Sequence, residues 1–254
     1  MKVSAIILAG GSGTRLANHT KSDTPKQYLE IGGKPVLSYS VDVFLDLPFV
    51  DEIIVVTANE WMEYCKVNVI DPLMRQNHAN IKLVEGGSNR QESSFCGVKN
   101  ATLPYIMIHD GARPFVRVCD IEKLYDTLCL GSSAILGVPV TDTIKSLIKV
   151  NETAYVDCTI PRDTLMSAAT PQAFRRDLLL AAHELAAGSN FIGTDDASLL
   201  EYMGESVVII QGSSMNIKIT THEDWVYADF LVRVHRQSIS KKDFDPDFLS
   251  IEKR

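Results

Sequence analysis

The chain of 254 residues has no apolar run that approaches the roughly 18–20 residues needed for a membrane-spanning helix. Positive charge is also scarce, because 25 Lys and Arg stand against 32 Asp and Glu and leave a formal net charge of −7. This balance disfavours general binding to nucleic acid or to an anionic membrane, although a local basic cluster can still bind an anionic small molecule. Hydrophobic residues at 45% and charged residues at 22% are typical of a globular protein and exclude a disordered or fibrous one.

Several common catalytic and metal-binding patterns are missing. The five cysteines are scattered without a CxxC pair, and the six histidines form no HxxxH pattern, so a zinc site is disfavoured. We expect reduced, mostly buried thiols in a cytoplasmic protein. No GxSxG sequence is present, which argues against an α/β-hydrolase. The apolar residues after Lys2 faintly resemble a signal peptide, but glycines and Arg15 follow them, so they predict a buried first strand.

The hydrophobic pattern alternates between strand-like and helix-like segments. Strands are predicted at 3–8, 52–57, 81–84, 105–109, 134–140, 207–210 and 216–220. Helices are predicted at 34–46, from Asn59 onward, at 91–101, 120–130 and 175–186, from about Thr194, and at 222–234. This order predicts an α/β fold with a Rossmann-like open, mostly parallel sheet and helices on both faces.

The segment 142–170 breaks this alternation. It contains two β-rich stretches with Asn151 between them, which predicts a hairpin that projects from the sheet as a β-arm. We interpret residues 1–237 as a single domain that includes this arm. The polar tail 238–254 is expected to be a frayed terminus.

A glycine-rich loop follows the first strand and runs from Leu8 to Arg15. Glycines at such a position let the backbone approach a phosphate and direct N–H groups at it. Because ligands of open α/β sheets bind outside the carboxyl ends of the strands, this loop is a candidate nucleotide site. Leu16 occupies the third glycine position of a dinucleotide fingerprint, which disfavours a nicotinamide-dependent oxidoreductase. Pro35 after Gly33-Lys34 excludes a Walker loop.

Charged residues near this loop are candidates for phosphate and metal binding. Arg15 and Lys26 flank the glycines, and both are suited to phosphate oxygens, although solvated surface positions are an alternative. Asp110 follows the predicted strand 105–109, a usual place for a Mg²⁺ ligand, but an Asp before Gly111 also favours a simple turn. His109 is interpreted as a core histidine.

Nine motifs in a fixed order carry a resemblance over nearly the whole chain, from about Val3 to Val234. They are AGGSGTR, PKQYL, GGSNRQES, HDGARPF, PVTDTIK, IPRDTL, TPQAF, TDDAS and NIKITTHED. The chain resembles the cytidylyltransferases that form CDP-alcohols, specifically the 2-C-methyl-D-erythritol 4-phosphate cytidylyltransferase family. The loop form Leu8-Ala9-Gly10-Gly11 is common in the ribitol-5-phosphate sister group, so ribitol 5-phosphate is an alternative acceptor.

The resemblance implies a nucleotidyltransferase that moves CMP from CTP to a polyol phosphate in the non-mevalonate isoprenoid route, with Mg²⁺ as cofactor. It implies catalytic roles for Arg15, Lys26, Arg162 and Lys218. It implies nucleotide binding by Leu8, Ala9, Gly10, Gly11, Gly13, Thr14, Gly87, Ser88 and Ser93. Asp110 would bind the metal, and the acceptor would contact Asp110, Thr143, Arg162, Thr170, Thr194 and Lys218.

The resemblance also implies a homodimer whose arms cross, so that Arg162 serves the neighbouring site. In the implied reaction an acceptor phosphate oxygen attacks the α-phosphorus of CTP and pyrophosphate leaves. The acceptor phosphate is already an anion at neutral pH, so no strong general base is needed, and positioning and charge neutralisation are expected to dominate. A non-catalytic nucleotide-binding protein is the alternative from another class.

Overall fold

The computed structural model describes residues 1–11, 24–77 and 80–238 of the chain. In chain order its strands are β1 (Val3–Ala9), β2 (Glu30–Ile31), β3 (Lys34–Pro35), β4 (Val50–Thr57), β5 (Ile81–Glu85), β6 (Tyr105–Asp110), β7 (Ser133–Pro139), β8 (Ile144–Val150), β9 (Thr153–Ile160), β10 (Met166–Arg175) and β11 (Val207–Gln211). Its α-helices are α1 (Val36–Leu45), α2 (Met62–Cys65), α3 (Asp71–Asn77), α4 (Arg90–Asn100), α5 (Val118–Cys129), α6 (Arg176–Ser189), α7 (Asp196–Met203) and α8 (His222–Ser238).

Seven strands form one sheet in the order β11-β7-β10-β6-β1-β4-β5. Strand β10 is antiparallel to β6 and β7, and the other neighbouring pairs are parallel, which confirms the mostly parallel sheet. The chain passes from β1 outward to β4 and β5 and then returns to β6 on the other side of β1. The carboxyl ends of β1 and β6 therefore meet at a topological switch point, where open α/β sheets bind their ligands.

Strand β1 is buried along its whole length because helices cover both faces of the sheet. Ala5 and Ile7 pack in the core cluster that includes residues of α1 and α5. Ile6 and Leu8 point to the opposite face and pack in the cluster that includes residues of α4 and α6. A strand that is covered on both faces needs a continuous apolar sequence, and this confirms the predicted buried first strand.

The arm is a two-stranded hairpin of β8 and β9. Asn151 and Glu152 at its tip both have positive φ, as a two-residue hairpin turn of the favoured twist requires. The hairpin is shorter than the predicted segment 142–170, because the chain from Met166 onward is already part of β10. Leu147, Ile148 and Val156 on the hairpin are each more than half exposed.

One strand of the large sheet was not predicted, and one predicted strand does not form. Strand β10 was not predicted, because Pro171 interrupts its pattern; the register with β7 shifts between Ala169 and Gln172, and a proline is tolerated at such a bulge. Conversely, residues 216–220 alternate like a strand but form none. Their backbone pairs with the turn after β6, where the Ile219 N–H donates to the Ala112 carbonyl at 2.9 Å.

The cysteine prediction was partly wrong. All five cysteines are free, but only Cys65 is buried. Cys129 and Cys158 are exposed, at the end of α5 and on the projecting β9. Within the described ranges, no helix has both the length and the hydropathy to cross a membrane.

Candidate active site

A cavity of about 390 Å³ lies at the carboxyl ends of β1 and β6. Its lining consists of Leu8, Ala9, Gly10, Gly11, Lys26, Gln27, Ser88, Asn89, Arg90, Ser93, Asp110, Ala112, Lys218 and Thr220. The structure therefore brings together predicted residues from five separate motifs at the switch point of the sheet. Gly13, Thr14 and Arg15 lie outside the described residues.

The glycines beside this cavity allow two loops to approach one serine closely. A Cβ atom on Gly10 would lie 3.1 Å from the Ser93 hydroxyl oxygen, and a Cβ atom on Gly86 would lie 2.8 Å from the same atom. A Cβ atom on Gly87 would collide with the side chain of Glu92 at 2.2 Å. Gly87 is adjacent to Ser88 but is not part of the cavity lining. These positions explain why the sequence carries glycine in both loops.

Helix α4 begins at the cavity with a side-chain cap. The Asn89 carboxamide oxygen accepts a hydrogen bond from the Glu92 backbone N–H at 2.9 Å, as expected of an N-cap. The Glu92 carboxylate in turn accepts bonds from the Ser88 N–H and hydroxyl, each at 2.8 Å, and these bonds lower the pKa of Glu92. This network fixes the loop that contains Ser88 at the mouth of the cavity.

Asp110 is the most highly paired group of the site. Its carboxylate lies 2.8 Å from the Lys218 Nζ and 3.4 Å from the guanidinium Nε atoms of both Arg90 and Arg113. Burial by itself would raise the pKa of Asp110, but these three cations outweigh it and hold the pKa far below its usual value. The carboxylate therefore stays ionised over the whole physiological pH range.

Arg90 connects this cluster to a second carboxylate. Its Nη1 lies 2.9 Å from Asp196 at the start of α7, while its Nε faces Asp110. Burial would lower the pKa of Arg90, but the two carboxylates raise it above its usual value. The guanidinium is thus a fixed positive charge between β6 and α7.

Thr170 lies in the interior next to Asp110 rather than on the cavity lining. Its hydroxyl accepts a hydrogen bond from the Asp110 backbone N–H at 3.0 Å and pairs with the His109 Nδ1 at 3.0 Å. His109 is fully buried, its Nε2 pairs with the Arg113 carbonyl at 3.0 Å, and burial lowers its pKa to about 4. The interpretation of His109 as a core histidine is confirmed.

Three predicted acceptor residues are not at the cavity of their own chain. Thr143, Arg162 and Thr194 are exposed, and none of them lines the cavity. The Arg162 Nη1 donates to the Thr141 carbonyl at 2.9 Å, so its side chain lies along the base of the arm. Thr194 immediately precedes Asp195, the N-cap of α7.

Sequence reasoning did not assign a role to Gln27, Asn89, Arg90, Ala112 or Thr220, all of which line the cavity. For Arg90 a signal was available, because a cation inside the glycine-rich motif GGSNRQES of an acidic chain is unusual. For Gln27 the signal was its position directly after Lys26. Neither signal indicates which partners these side chains contact.

The residues of the site suit a metal ion that is bound mainly by the phosphates of a substrate. Among the described lining residues Asp110 is the only carboxylate, and the described parts of the chain contain no group of three or more His, Cys, Asp or Glu that could hold a metal. Mg²⁺ commonly uses one or two carboxylates together with substrate phosphates and water. The donor set therefore fits a phosphate-borne Mg²⁺ but not a site made of protein ligands alone.

Comparison with known proteins identifies the family. The family model of 2-C-methyl-D-erythritol 4-phosphate cytidylyltransferase matches residues 3–234. The chain belongs to this family. The Caldanaerobacter subterraneus cytidylyltransferase of this name is 40% identical over 235 residues, which are 92% of this chain and 100% of that protein. The Geotalea uraniireducens protein of this name is 37% identical over 92% of this chain and 97% of its own length.

Solved structures of the family share the fold. The Anaerococcus prevotii 4-diphosphocytidyl-2C-methyl-D-erythritol synthase superposes with a TM-score of 0.77 at 33% identity, covering 91% of this chain and 96% of that one. The Thermus thermophilus 2-C-methyl-D-erythritol 4-phosphate cytidylyltransferase gives a TM-score of 0.74 at 29% identity, covering 92% and 100%. The protein is therefore an enzyme of the nucleotidyltransferase class.

Proposed function

We propose that the protein transfers CMP from CTP to 2-C-methyl-D-erythritol 4-phosphate and releases pyrophosphate, a step of isoprenoid precursor synthesis by the non-mevalonate route. The observation that carries this proposal is the switch-point cavity of a net-acidic chain, where a glycine loop and the cations Lys26, Arg90 and Lys218 meet. Such a cavity suits the crowding of two phosphate-bearing substrates. Membership of the family supports the choice of substrates.

In the reaction, an oxygen of the acceptor phosphate forms a bond to the α-phosphorus of CTP. The bond from that phosphorus to the bridging oxygen of the β-phosphate breaks, and pyrophosphate carries away the electron pair. The acceptor phosphate is already an anion, so no side chain has to remove a proton. This agrees with the described lining, which contains neither histidine nor glutamate. The barrier that remains is the approach of anions, and fixed positive charge lowers it.

The site divides into a nucleotide side and an acceptor side. Leu8, Ala9, Gly10 and Gly11, with Gly13 and Thr14, bind the triphosphate, and Gly87, Ser88 and Ser93 bind the cytidine. Arg15 and Lys26 stabilise the pentavalent phosphorus. On the acceptor side Asp110 and Lys218 contact the polyol phosphate, and Thr170 contributes by holding the Asp110 backbone.

Mg²⁺ belongs to the proposal as an ion carried by the triphosphate and contacted by Asp110. When bound, it supplies neutralising charge to the phosphate oxygens. The chain's own contribution is an ionised carboxylate whose position is fixed by Arg90, Arg113 and Lys218.

Arg162, and with it Thr143 at the base of the same arm, is assigned to the site of a second copy of the chain. Leu147, Ile148, Tyr155 and Val156 expose a large apolar area on a thin hairpin, which is unfavourable in a monomer and favours a partner. In a homodimer with crossing arms, Thr143 and Arg162 at the base of the arm reach the neighbouring cavity, and Thr194 completes the acceptor side. The free cysteines support a cytoplasmic location, and the net charge of −7 supports the absence of a nucleic-acid partner.

A pyrophosphate-release assay tests this function. The purified protein is incubated with each of four nucleoside triphosphates and with either 2-C-methyl-D-erythritol 4-phosphate or ribitol 5-phosphate. We expect release with CTP and the erythritol phosphate. Faster release with ribitol 5-phosphate would identify ribitol 5-phosphate as the acceptor. If no pair of substrates gives pyrophosphate, the remaining alternative is a non-catalytic nucleotide-binding protein.

A further inference from the structure

The short 3-10 turn Lys26–Tyr28 is attached to the sheet at two points. On one side, the buried Gln27 donates from its Nε2 to the Ala9 carbonyl at 2.5 Å and to the Gly11 carbonyl at 3.0 Å. On the other side, the Tyr28 hydroxyl pairs with the Thr57 hydroxyl at the end of β4. The turn that carries Lys26 therefore cannot move independently of the glycine loop.

The contacts of Gln27 also fix the direction of the loop backbone. In a planar trans peptide the carbonyl and the N–H point to opposite sides. Because the Ala9 carbonyl points to Gln27, the N–H of Gly10 in the same peptide points away from Gln27. Gly10 and Ala9 both line the cavity, and a backbone that is held in one orientation binds phosphate without reorganising.

The aromatic packing around Tyr28 makes the turn a rigid support. Tyr28 is 1% exposed and stacks on Trp61 with ring centroids 5.1 Å apart, while Tyr64 meets it edge to face at 5.2 Å. These contacts anchor the turn to the segment after β4. Because Gln27 and Lys26 are adjacent in this rigid turn, the hydrogen bonds of Gln27 to the glycine loop also fix the distance between that loop and Lys26.

We propose that Gln27 is a positioning residue for CTP binding, acting through the backbone of Ala9–Gly11 and the placement of Lys26. Both N–H groups of its carboxamide are required, because one side chain must hold two carbonyl oxygens. The inference rests on the proposed function, since it assigns the triphosphate to this loop. It predicts an effect on CTP that is separate from any effect on the acceptor.

The test uses Gln27→Met, which keeps the length of the side chain and removes both donors, and Gln27→Glu, which places a carboxylate against two carbonyl oxygens. We expect the KM for CTP to rise roughly tenfold or more, as the loss of two hydrogen bonds implies. The KM for 2-C-methyl-D-erythritol 4-phosphate should stay within about twofold. A general loss of structure would instead lower the active fraction and leave both KM values unchanged.

Ser4→Ala is the matched control. Ser4 is fully buried, donates to Glu52 at 2.6 Å and accepts from the Leu103 N–H at 3.4 Å, but it lies near the opposite end of β1. The Ser4→Ala variant loses two hydrogen bonds, as Gln27→Met does, so we expect a lower Tm with an unchanged KM for CTP. If Gln27→Met does not fold, Gln27→Asn keeps the amide on a shorter stem and should raise the KM for CTP by a smaller factor.

Calorimetric titration of CTP separates this inference from the proposed function. If the wild type releases no pyrophosphate but binds CTP, the proposed reaction is wrong, and a weaker Kd for CTP in Gln27→Met still supports the positioning role. An unchanged KM and Kd for CTP in the folded Gln27 variants overturns the inference. Equal rises in the KM values for CTP and the acceptor also overturn it.

Discussion

At the residue scale, the charge of Lys26 should matter to turnover far more than to the fold. Lys26 lines the cavity beside the glycine loop and is only partly buried, whereas Gln27 and Tyr28 of the same turn are buried. Removing one preorganised donor to a transition state typically lowers the rate about a hundred- to thousandfold. We expect Lys26→Ala to show this loss of kcat in a pyrophosphate-release assay with an unchanged Tm, and Arg15→Ala to behave alike.

Lys34→Ala serves as the control for Lys26→Ala. The Lys34 Nζ lies over the Tyr39 ring, 5.8 Å from its centroid, and the residue does not line the cavity. Its removal should leave kcat unchanged. Near-normal turnover of the folded Lys26→Ala protein would refute the role given to Lys26.

The charge of Asp110 should control the affinity for metal-bound nucleotide. Asp110→Asn keeps the shape of the side chain but removes the negative charge that faces Lys218, Arg90 and Arg113. We expect the Mg²⁺ concentration at half-maximal rate to rise and the rate to fall. Calorimetry should also show that the gain in CTP affinity on adding Mg²⁺ is smaller in the variant. Full activity of the wild type in EDTA would contradict the metal assignment.

A buried histidine should make stability depend on pH. His183 is 3% exposed, and burial lowers its pKa, with Arg90 acting in the same direction and Asp196 opposing it. As pH falls below the ordinary histidine pKa of about 6.5, the unfolded chain binds the proton first, so the free energy of unfolding decreases. Denaturant titrations from pH 8 to pH 5 should show a shallower decrease for His183→Gln. A slope for His183→Gln that equals the wild-type slope would show that His183 does not contribute.

At the scale of elements, the distance between α4 and the sheet depends on one glycine. A Cβ atom on Gly97 would lie 2.5 Å from the Ile6 Cγ2 and 3.1 Å from the Val56 Cγ2, both in fully buried side chains. Overpacking typically costs about 1–3 kcal/mol, which exceeds the helix-propensity gain of about 1 kcal/mol for Gly→Ala. We therefore expect Gly97→Ala to lower the free energy of unfolding measured in urea.

Gly188→Ala in α6 provides a matched comparison for Gly97→Ala. A Cβ atom there would meet nothing within 4 Å, and the residue is exposed near the end of the helix. This variant should be neutral or more stable by up to about 1 kcal/mol. A stabilised Gly97→Ala protein would mean that α4 can shift away from the sheet at little cost.

The sequence was sufficient to predict those helices and strands whose conformation depends on their own residues and not on a distant neighbour. Strand β1 could be predicted because a strand covered on both faces is apolar throughout, and the hairpin because Asn151 separates two β-rich stretches. Strand β10 could not, since the position of Pro171 is tolerated only at a bulge that the neighbouring β7 defines. Residues 216–220 have a strand pattern, but their available partner is the turn at Ala112 rather than a strand.

The same limit applies to the site. Residues 8–11 of the glycine loop, Lys26, Asp110 and Lys218 were identified from motifs, and the structure brings them to one cavity. The pairing of Arg90 with both Asp110 and Asp196 could not be predicted from the sequence. It depends on how α4 packs against β6 and α7, and Asp196 lies 106 residues after Arg90 in the chain. Residue types indicate the chemistry, while tertiary packing decides which charges share a partner.

At the scale of the whole molecule, the proposed dimer predicts that two inactive variants can restore one another. Arg162 lies at the base of the arm and is absent from the cavity lining of its own chain, whereas Lys26 lines that cavity. If the arms cross, a site contains Lys26 from one chain and Arg162 from the other. Arg162→Ala and Lys26→Ala proteins should each be nearly inactive alone and form a symmetric homodimer in sedimentation experiments.

Heterodimers of Arg162→Ala and Lys26→Ala then contain one site with both defects and one site with none. Mixing under conditions that exchange subunits should therefore restore up to about half of the wild-type activity per heterodimer, because one of its two sites is intact. If Arg162 instead served its own chain, every site would keep one defect and no activity would return. Differently tagged chains allow heterodimers to be isolated, so that a lack of recovery in a verified heterodimer decides against the shared site.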